Sequence, residues 1–159
     1  MPKKSAGLLL YRRHDDKPQW ELLLVHPGGP FWRKKDDGAW TIPKGEFDDS
    51  ENPLDAARRE FKEELGADPP AADPIKLKPV KQAGGKIVHC WAVAGEFDPT
   101  TLHSNTFQQE WPPKSGQMRE FPEVDRAAWY SPEMAKQKII GGQLPLIDEL
   151  MTMLGDAER

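Results

Sequence analysis

The sequence predicts an α+β fold in a single domain, on the strength of three observations. Short apolar segments occur in pairs separated by turn residues, which is typical of β-hairpins. Other segments have helical spacing and recognisable cap residues. The 159 residues, of which 37% are hydrophobic, are enough for one core but hardly for two. We therefore expect one domain over residues 1–159.

The first elements are two strands, at residues 6–11 and 20–26. The charged segment 12–18 joins them, so they are expected to form a hairpin. Residues 27–38 are rich in glycine, proline and charge and are interpreted as a loop. This loop leads into a short predicted strand at residues 39–42.

A helix is predicted between Asn52 and Gly66. Asn52 can cap free backbone N–H groups, and Pro53 is tolerated at the first helical position. A second pair of strands follows, at residues 75–80 and 87–94, with a turn that contains two glycines. Residues 98–122 are polar and broken by prolines, which indicates a long loop. One more strand is expected around Trp129 and Tyr130, then helices at residues 132–140 and 144–154.

Composition excludes several classes of protein. The net charge of -4 does not favour nucleic acid or an anionic membrane as the main partner. Cys90 is the only cysteine, which excludes an intrachain disulfide and a cysteine-based zinc site. The apolar run at residues 6–11 is too short for a signal peptide or a membrane span. We expect a cytoplasmic protein, either a monomer or a homodimer.

The predicted helix carries three glutamates at a spacing that places them on one face. Glu60, Glu63 and Glu64 lie at i, i+3 and i+4, beside an apolar face formed by Leu54, Ala57, Phe61 and Leu65. Like charges at this spacing repel one another, so a cation is expected nearby. Carboxylate oxygens without histidine or cysteine suit Mg²⁺, with Mn²⁺ as an alternative.

The wider pattern resembles the Nudix box, at residues 45–67. The matching residues are Gly45, Glu51, Arg59, Glu60, Phe61, Glu63, Glu64 and Gly66. Ala67 departs from the larger aliphatic residue usual in the family, which concerns packing rather than chemistry. The resemblance implies a Nudix fold, in which a mixed β-sheet is sandwiched between helices. It also implies hydrolysis of a pyrophosphate linkage by attack of water on phosphorus.

The resemblance further assigns roles to residues. Glu60 and Glu64 would be the principal metal ligands, Glu63 would support them, and the carbonyl of Lys44 would complete the shell. Glu51 and Arg59 would form a structural ion pair, and Gly45 and Gly66 are also interpreted as structural. Glu63, Glu64 and a further carboxylate outside the box are expected to be catalytic. Glu123 is our choice for the latter, with Glu120 and Glu110 as alternatives.

The Pro43-Lys44-Gly45 entry to the box resembles Nudix hydrolases that act on dinucleoside polyphosphates or diphosphoinositol polyphosphates. Lys44 is expected to bind a phosphate, and the basic residues Arg33, Lys34 and Lys35 to bind more of the chain, unless they form only a solvated loop. Trp32, Trp111 and Phe107 are candidates to stack on a base or, alternatively, to pack within the protein.

Several functions remain open. The best prediction is hydrolysis of dinucleoside polyphosphates, and nucleoside triphosphates, ADP-ribose and diphosphoinositol polyphosphates are alternative substrates. A non-catalytic module that binds a nucleotide is the alternative of another class, although it has no need for three mutually repelling glutamates. An enzyme that processes RNA ends would require a basic groove, and the net negative charge of the chain disfavours one. Histidines 14, 26, 89 and 103 lack a metal-ligand spacing, which argues against a di-iron helix bundle.

Overall fold

The structure, a computed structural model, describes residues 3–13, 16 and 18–157. Its strands are β1 (Lys4–Arg12), β2 (Glu21–Pro27), β3 (Lys44–Phe47), β4 (Ile75–Lys76), β5 (Val80–Lys81), β6 (Ile87–Ala94), β7 (Thr106–Glu110), β8 (Met118–Pro122) and β9 (Val124–Tyr130). Its α-helices are α1 (Pro53–Leu65), α2 (Pro132–Lys138) and α3 (Leu144–Ala157), with short 3₁₀ turns at Pro99–Thr101 and Gly141–Gln143.

Strand β1 is the centre of a mixed sheet. It pairs in parallel with β6 on one side, while on the other side it pairs antiparallel with β3 near its start and with β2 near its end. β9 extends the sheet beyond β2, and β4 and β5 pair with β6 at the opposite edge. The predicted hairpin of the first two strands is confirmed. Of its predicted turn, His14, Asp15 and Lys17 lie outside the described residues.

Helices cover both faces of this sheet. Because successive side chains of a strand point to opposite faces, Leu8 and Leu10 of β1 pack in the cluster that contains Phe61 of α1. Leu9 packs in the opposite cluster, with Leu146 of α3. The predicted α+β fold with a mixed sheet between helices is therefore confirmed. The single domain over residues 1–159 stays a prediction.

The capped helix forms as its sequence predicts. The Asn52 side chain accepts hydrogen bonds from the backbone N–H groups of Leu54 and Asp55. Gly66 ends the helix in the left-handed conformation, with φ 77°, where a side chain would be strained. The two C-terminal helices are also confirmed, separated by the 3₁₀ turn at Gly141–Gln143. Within the described part of the chain, no helix is long and apolar enough to cross a membrane.

The strand predicted at residues 39–42 is wrong. Trp40 and Thr41 make only isolated bridges, to Ile139 and Val25, and the strand forms later, as β3. The chain changes neighbours at this point, from β2 at Thr41 to β1 at Lys44. Pro43 lies between the two pairings and has no N–H group to donate, so one continuous strand does not form.

The long loop predicted at residues 98–122 is also wrong in part, because β7 and β8 pair as a separate two-stranded sheet. Most of their side chains are polar. The apolar ones are Met118 and Pro122 in β8 and the cross-strand pair Phe107 and Phe121, whose ring centroids are 6.1 Å apart. The predicted strand at residues 75–80 is divided into β4 and β5, and the strand at Trp129 begins earlier, as β9.

Candidate functional site

A cavity of about 570 Å³ opens where α1, β3 and the start of β9 meet. Its charged lining residues are Lys44, Glu46, Glu60, Glu63, Glu64, Lys86 and Glu123, and Val25, Pro27, Thr41, Gly45, Asn105 and Val124 complete it. The cavity therefore gathers five carboxylates and two ammonium groups. Of the residues predicted for the site, it contains the three helix glutamates, Glu123, Lys44 and Gly45.

The packing of α1 aims its glutamates into this cavity. Ala57, Phe61 and Leu65 are buried against the sheet, which fixes the rotation of the helix about its axis. The neighbouring face, with Glu60, Glu63 and Glu64, is then directed toward β3. The site thus depends on the same hydrophobic spacing that positions the helix.

Glu64 is the most buried of these carboxylates. Burial raises its pKa to about 8, and the nearby charge of Glu60 acts in the same direction. The backbone N–H of Lys44 donates a hydrogen bond to Glu64 Oε1, at 3.1 Å, which lowers the pKa but does not offset the burial. Because burial makes ionisation of Glu64 unfavourable, a cation bound nearby would stabilise its charged form.

Glu60 lies directly over the backbone of Gly45. A Cβ atom at position 45 would come within 2.0 Å of the carboxyl carbon of Glu60, so a side chain there would collide with the carboxylate. Burial raises the pKa of Glu60, and the hydrogen bond from Arg59 opposes that shift. The glycine therefore provides the space in which this carboxylate lies.

Arg59 binds three carboxylates. Its Nε and Nη2 donate to the two oxygens of Glu51, at 2.7 and 2.9 Å, in a bidentate pair. Its Nη1 also donates to Glu60, at 2.8 Å, and to Glu63, at 3.2 Å. Among the described residues, no three histidine, cysteine, aspartate or glutamate side chains converge in an arrangement that would hold a metal ion. In this arrangement the guanidinium group of Arg59 neutralises part of the negative charge of Glu51, Glu60 and Glu63.

Glu123 is the single residue between β8 and β9, and its backbone is fixed on both sides. Its N–H donates to the carbonyl of Asn105, and its carbonyl accepts from the N–H of Gly28. Asn105 in turn donates its N–H to the carbonyl of Glu63, which connects this segment to α1. Burial and the charge of Glu63 raise the pKa of Glu123.

The alternatives to Glu123 lie elsewhere. Glu120 accepts a hydrogen bond from the hydroxyl of Thr106, and Glu110 accepts from the backbone N–H of Lys114, at 2.7 Å. Both belong to the hairpin of β7 and β8, and neither is among the described residues that line the cavity.

The predicted substrate-binding residues divide into two groups. Lys44 lines the cavity, and burial together with the charge of Lys86 lowers its pKa to about 8. The other three, Arg33, Lys34 and Lys35, are exposed on the loop after β2 and are not part of the described lining. The Lys35 ammonium instead lies 3.8 Å from the centroid of the Phe31 ring.

The three candidate stacking residues are also absent from the described lining of the cavity. Trp32 makes an edge contact with Phe31, and Phe107 packs against Phe121. Trp111 follows β7, and its backbone N–H donates to the carbonyl of Gln117. Their role in binding a base stays a prediction.

Lys86 and Asn105 also line the cavity, and neither is predicted as a site residue from the sequence. Lys86 follows a Gly-Gly turn, and Asn105 lies in the segment 98–122, for which the sequence predicts a loop. Each reaches the site through long-range pairing, so local sequence contains no signal for either one.

The donor set of the cavity fits a hard divalent cation. Its acidic donors are all carboxylate oxygens, the class of ligand that magnesium and manganese prefer. Burial opposes the ionisation of Glu60, Glu64 and Glu123, and a bound cation would reverse that cost. Arg59 is the residue that such a cation would have to displace from Glu60 and Glu63.

Comparisons with known proteins agree with this architecture. Two curated relatives are the asymmetrical bis(5'-nucleosyl)-tetraphosphatase of Mus musculus, 36% identical over 42% of this chain and 44% of that protein, and the RNA pyrophosphohydrolase of Bartonella henselae, 34% identical over 40% of this chain and 35% of that protein. The chain therefore matches less than half of the length of these relatives.

A solved structure, a binary complex of the Ap4A hydrolase of C. elegans, is similar in fold. It has a TM-score of 0.65 and 23% identity, and the match covers 97% of this chain and 98% of that one. The family model for the NUDIX domain matches residues 1–150. With the mixed sheet, the capped helix and its glutamates in place, the chain belongs to the Nudix family.

Proposed function

We propose that this protein is a metal-dependent pyrophosphohydrolase whose preferred substrates are dinucleoside polyphosphates. The observation that carries the proposal is the shared cavity, in which the carboxylates of Glu60, Glu63, Glu64 and Glu123 lie together with Lys44. A nucleotide-binding module without turnover has no need to bury mutually repelling carboxylates beside its ligand.

Each residue of the cavity has a chemical task in this proposal. Glu60 and Glu64 would hold a divalent ion, Mg²⁺ or alternatively Mn²⁺, with support from Glu63 and the carbonyl of Lys44. The bound ion would neutralise phosphate charge and acidify a water molecule. Glu123 removes the proton from the attacking water, and the ammonium group of Lys44 binds a phosphate oxygen. Positioning and charge neutralisation supply most of the rate enhancement.

The choice of substrate is supported by two findings of different kinds. The residues Pro43-Lys44-Gly45 at the start of the Nudix box resemble those of Nudix hydrolases that act on dinucleoside polyphosphates or diphosphoinositol polyphosphates. In addition, one curated relative is named a bis(5'-nucleosyl)-tetraphosphatase. The other relative is named an RNA pyrophosphohydrolase, so RNA with a 5'-triphosphate belongs among the substrates to be compared. The cytoplasmic location and the monomeric or homodimeric state stay predictions.

The deciding experiment compares candidate substrates at equal concentration with magnesium, and resolves the products by chromatography. The panel contains diadenosine polyphosphates, ADP-ribose, nucleoside triphosphates, diphosphoinositol polyphosphates and triphosphorylated RNA. We expect the highest kcat/KM for a diadenosine polyphosphate. A higher value for any other class would overturn the substrate assignment, and binding without turnover across the panel would favour the non-catalytic module.

The glutamates are tested by Glu64→Gln, with Glu133→Gln as a control on an exposed face of α2. We expect Glu64→Gln to lower kcat by about a hundredfold or more, because the buried negative charge that holds the ion is lost. Glu133→Gln should retain wild-type turnover. Full activity of Glu64→Gln would remove this residue from the mechanism.

A further inference from the structure

His26, near the end of β2, is a fully buried polar residue whose two ring nitrogens both have partners. Its Nδ1 lies 2.8 Å from Oδ1 of Asp125 in β9, and its Nε2 lies 2.6 Å from the carbonyl oxygen of Lys35. A carboxylate and a carbonyl are both acceptors, so the imidazole ring is the donor. The orientation of the ring is therefore fixed from two sides.

The Asp125 side chain reaches His26 at a shift in the register between β2 and β9. His26 opposes Arg126, whereas Pro27 opposes Val124, so Asp125 is an extra residue in β9. Such a β-bulge changes the direction of the side chains around it and is frequent next to active sites. Because the carboxylate of the extra residue binds the buried imidazole, the hydrogen bond stabilises the shifted register.

The shift determines where Glu123 and Val124 lie. Val124 lines the cavity and packs, like Ala127, in the cluster on the α1 side of the sheet. Regular alternation would place Val124 and Ala127 on opposite faces of the sheet, so an unshifted strand would move both Val124 and Glu123 from their present positions. The carboxylate of Glu123 therefore depends on the bulge for its place in the cavity.

The segments on either side of this shift are in direct backbone contact. The N–H of Gly28 donates to the carbonyl of Glu123, at 2.9 Å. A Cβ atom on Gly28 would lie 1.9 Å from the carbonyl oxygen of Pro122, so only glycine permits this approach. Closely packed groups transmit displacements to one another. A change at His26, two residues before Gly28, would therefore reach the backbone of Glu123.

We propose that His26 is a positioning residue for Glu123. Its hydrogen bond to Asp125 holds the register shift that directs the Glu123 carboxylate into the cavity. Replacing a buried polar pair by apolar residues often leaves stability unchanged, so the register that the pair specifies explains it better than stability does. The inference rests on the proposed function, in which Glu123 is the general base.

Two substitutions of His26 separate the two hydrogen bonds of the ring. The amide nitrogen of asparagine overlaps with Nδ1 and that of glutamine with Nε2. His26→Asn therefore retains the donor to Asp125, and His26→Gln retains the donor to Lys35. Both variants lose the contact of the ring with Trp40, whose centroid lies 5.3 Å away. A difference between the two variants thus reports the bond to Asp125.

Amide hydrogen exchange in EDTA, followed by NMR, tests the bulge without catalysis. We expect the amides of Gly28 and Glu123 to exchange about tenfold faster in His26→Gln and less than about threefold faster in His26→Asn. The amide of Leu77, which donates to the carbonyl of Cys90 near the opposite edge of the sheet, is the reference. Equal acceleration at Leu77 would indicate a general loss of stability and would overturn the proposal.

Turnover of a diadenosine polyphosphate with magnesium tests the consequence for Glu123. We expect His26→Gln to lower kcat by about tenfold and to change KM by less than about threefold, because the general base is misaligned. In the Glu123→Gln background, the same substitution should lower kcat by less than about twofold, since the base is already absent. His89→Gln is the matched control and should retain wild-type kcat. His89 is half-buried in β6, contacts Phe47 and is not part of the described cavity lining.

Equal exchange and equal turnover of His26→Asn and His26→Gln would overturn the proposal, and so would additive effects of His26→Gln and Glu123→Gln on kcat. The outcome is separable from the proposed function. If no dinucleoside polyphosphate is cleaved but His26→Gln selectively accelerates exchange at Gly28 and Glu123, the positioning role stands and the substrate assignment fails. If turnover is confirmed and His26→Gln matches the wild type in exchange and in kcat, the reverse holds.

Discussion

The carboxylate of Glu60 occupies the space that a side chain at position 45 would need. A Cβ atom on Gly45 would lie 2.0 Å from the carboxyl carbon of Glu60 and equally close to one of its oxygens. The requirement for glycine at this position is therefore steric, and it originates from a side chain on α1. The backbone of β3 and the glutamates of α1 are therefore packed directly against each other.

Gly45→Ala should weaken divalent binding much more than it weakens the fold. The atoms in collision are the far end of a flexible side chain, so Glu60 can rotate away at modest cost. We expect affinity for Mn²⁺ to fall by about tenfold or more, because one ligand is displaced. Calorimetric titration with Mn²⁺ and thermal unfolding in EDTA check both parts. Equal Mn²⁺ affinity of Gly45→Ala and the wild type would contradict the role of Glu60 as a ligand.

In the absence of divalent ions, Glu64 should make the stability of the protein depend on pH. The folded protein retains the proton of Glu64 up to about pH 8, whereas the unfolded chain releases it near 4.5. The folded state binds more protons between these values, so the free energy of unfolding falls as the pH rises through this window. In Glu64→Gln, the free energy of unfolding should not show this fall with pH. Urea unfolding in EDTA at a series of pH values measures it. Parallel pH profiles for the two proteins would exclude the effect.

Arg59→Met should make the protein depend more strongly on a divalent ion for its stability. Without the guanidinium, Glu60 and Glu63 lose their partner and Glu51 loses a bidentate pair. We expect a loss of about 1 to 3 kcal/mol of unfolding free energy in EDTA. Magnesium should raise the melting temperature of this variant more than that of the wild type. Arg58→Met, at an exposed neighbouring position, is the control, and equal shifts in all three proteins would refute the prediction.

Glu123→Gln should remove the acidic limb of the pH–rate profile. The raised pKa of Glu123 places this limb above the ordinary range of a glutamate, since a general base must be ionised. We expect kcat/KM to fall by about a hundredfold at neutral pH. Glu120→Gln and Glu110→Gln, both in the hairpin, should keep the wild-type profile. An unchanged profile for Glu123→Gln would transfer the role of base to one of them.

Local signals in the sequence were sufficient for the parts of the fold that depend on neighbouring residues. The ends of α1 follow from Asn52 and Gly66, because capping and left-handed termination are local effects. The glutamates of α1 share a face for a similarly local reason, the helical repeat. The family resemblance then supplied the mixed sheet and the interpretation of these glutamates as metal ligands.

Other features depend on contacts between distant segments and could not be predicted. The hairpin of β7 and β8 buries little of its surface, so its strands lack the apolar alternation that marks a core strand. Lys86 reaches the cavity because β6 pairs in parallel with β1, and hydrophobic patterning does not specify which strands become neighbours. The family resemblance predicts the pair between Arg59 and Glu51, but the additional contacts of Arg59 to Glu60 and Glu63 depend on the side-chain arrangement.

Cys90 provides an internal probe for all of these variants. It is the only cysteine of the chain, it is fully buried in the core on the α3 side, and burial raises the pKa of its thiol. Since alkylation of a cysteine requires an accessible thiolate, a thiol-selective reagent can modify Cys90 only when the core opens. When the core closes faster than the reagent reacts, the labelling rate of Cys90 is proportional to the population of the open state. The opening equilibria of the substituted proteins can thus be ranked by mass spectrometry, without an added dye or tag.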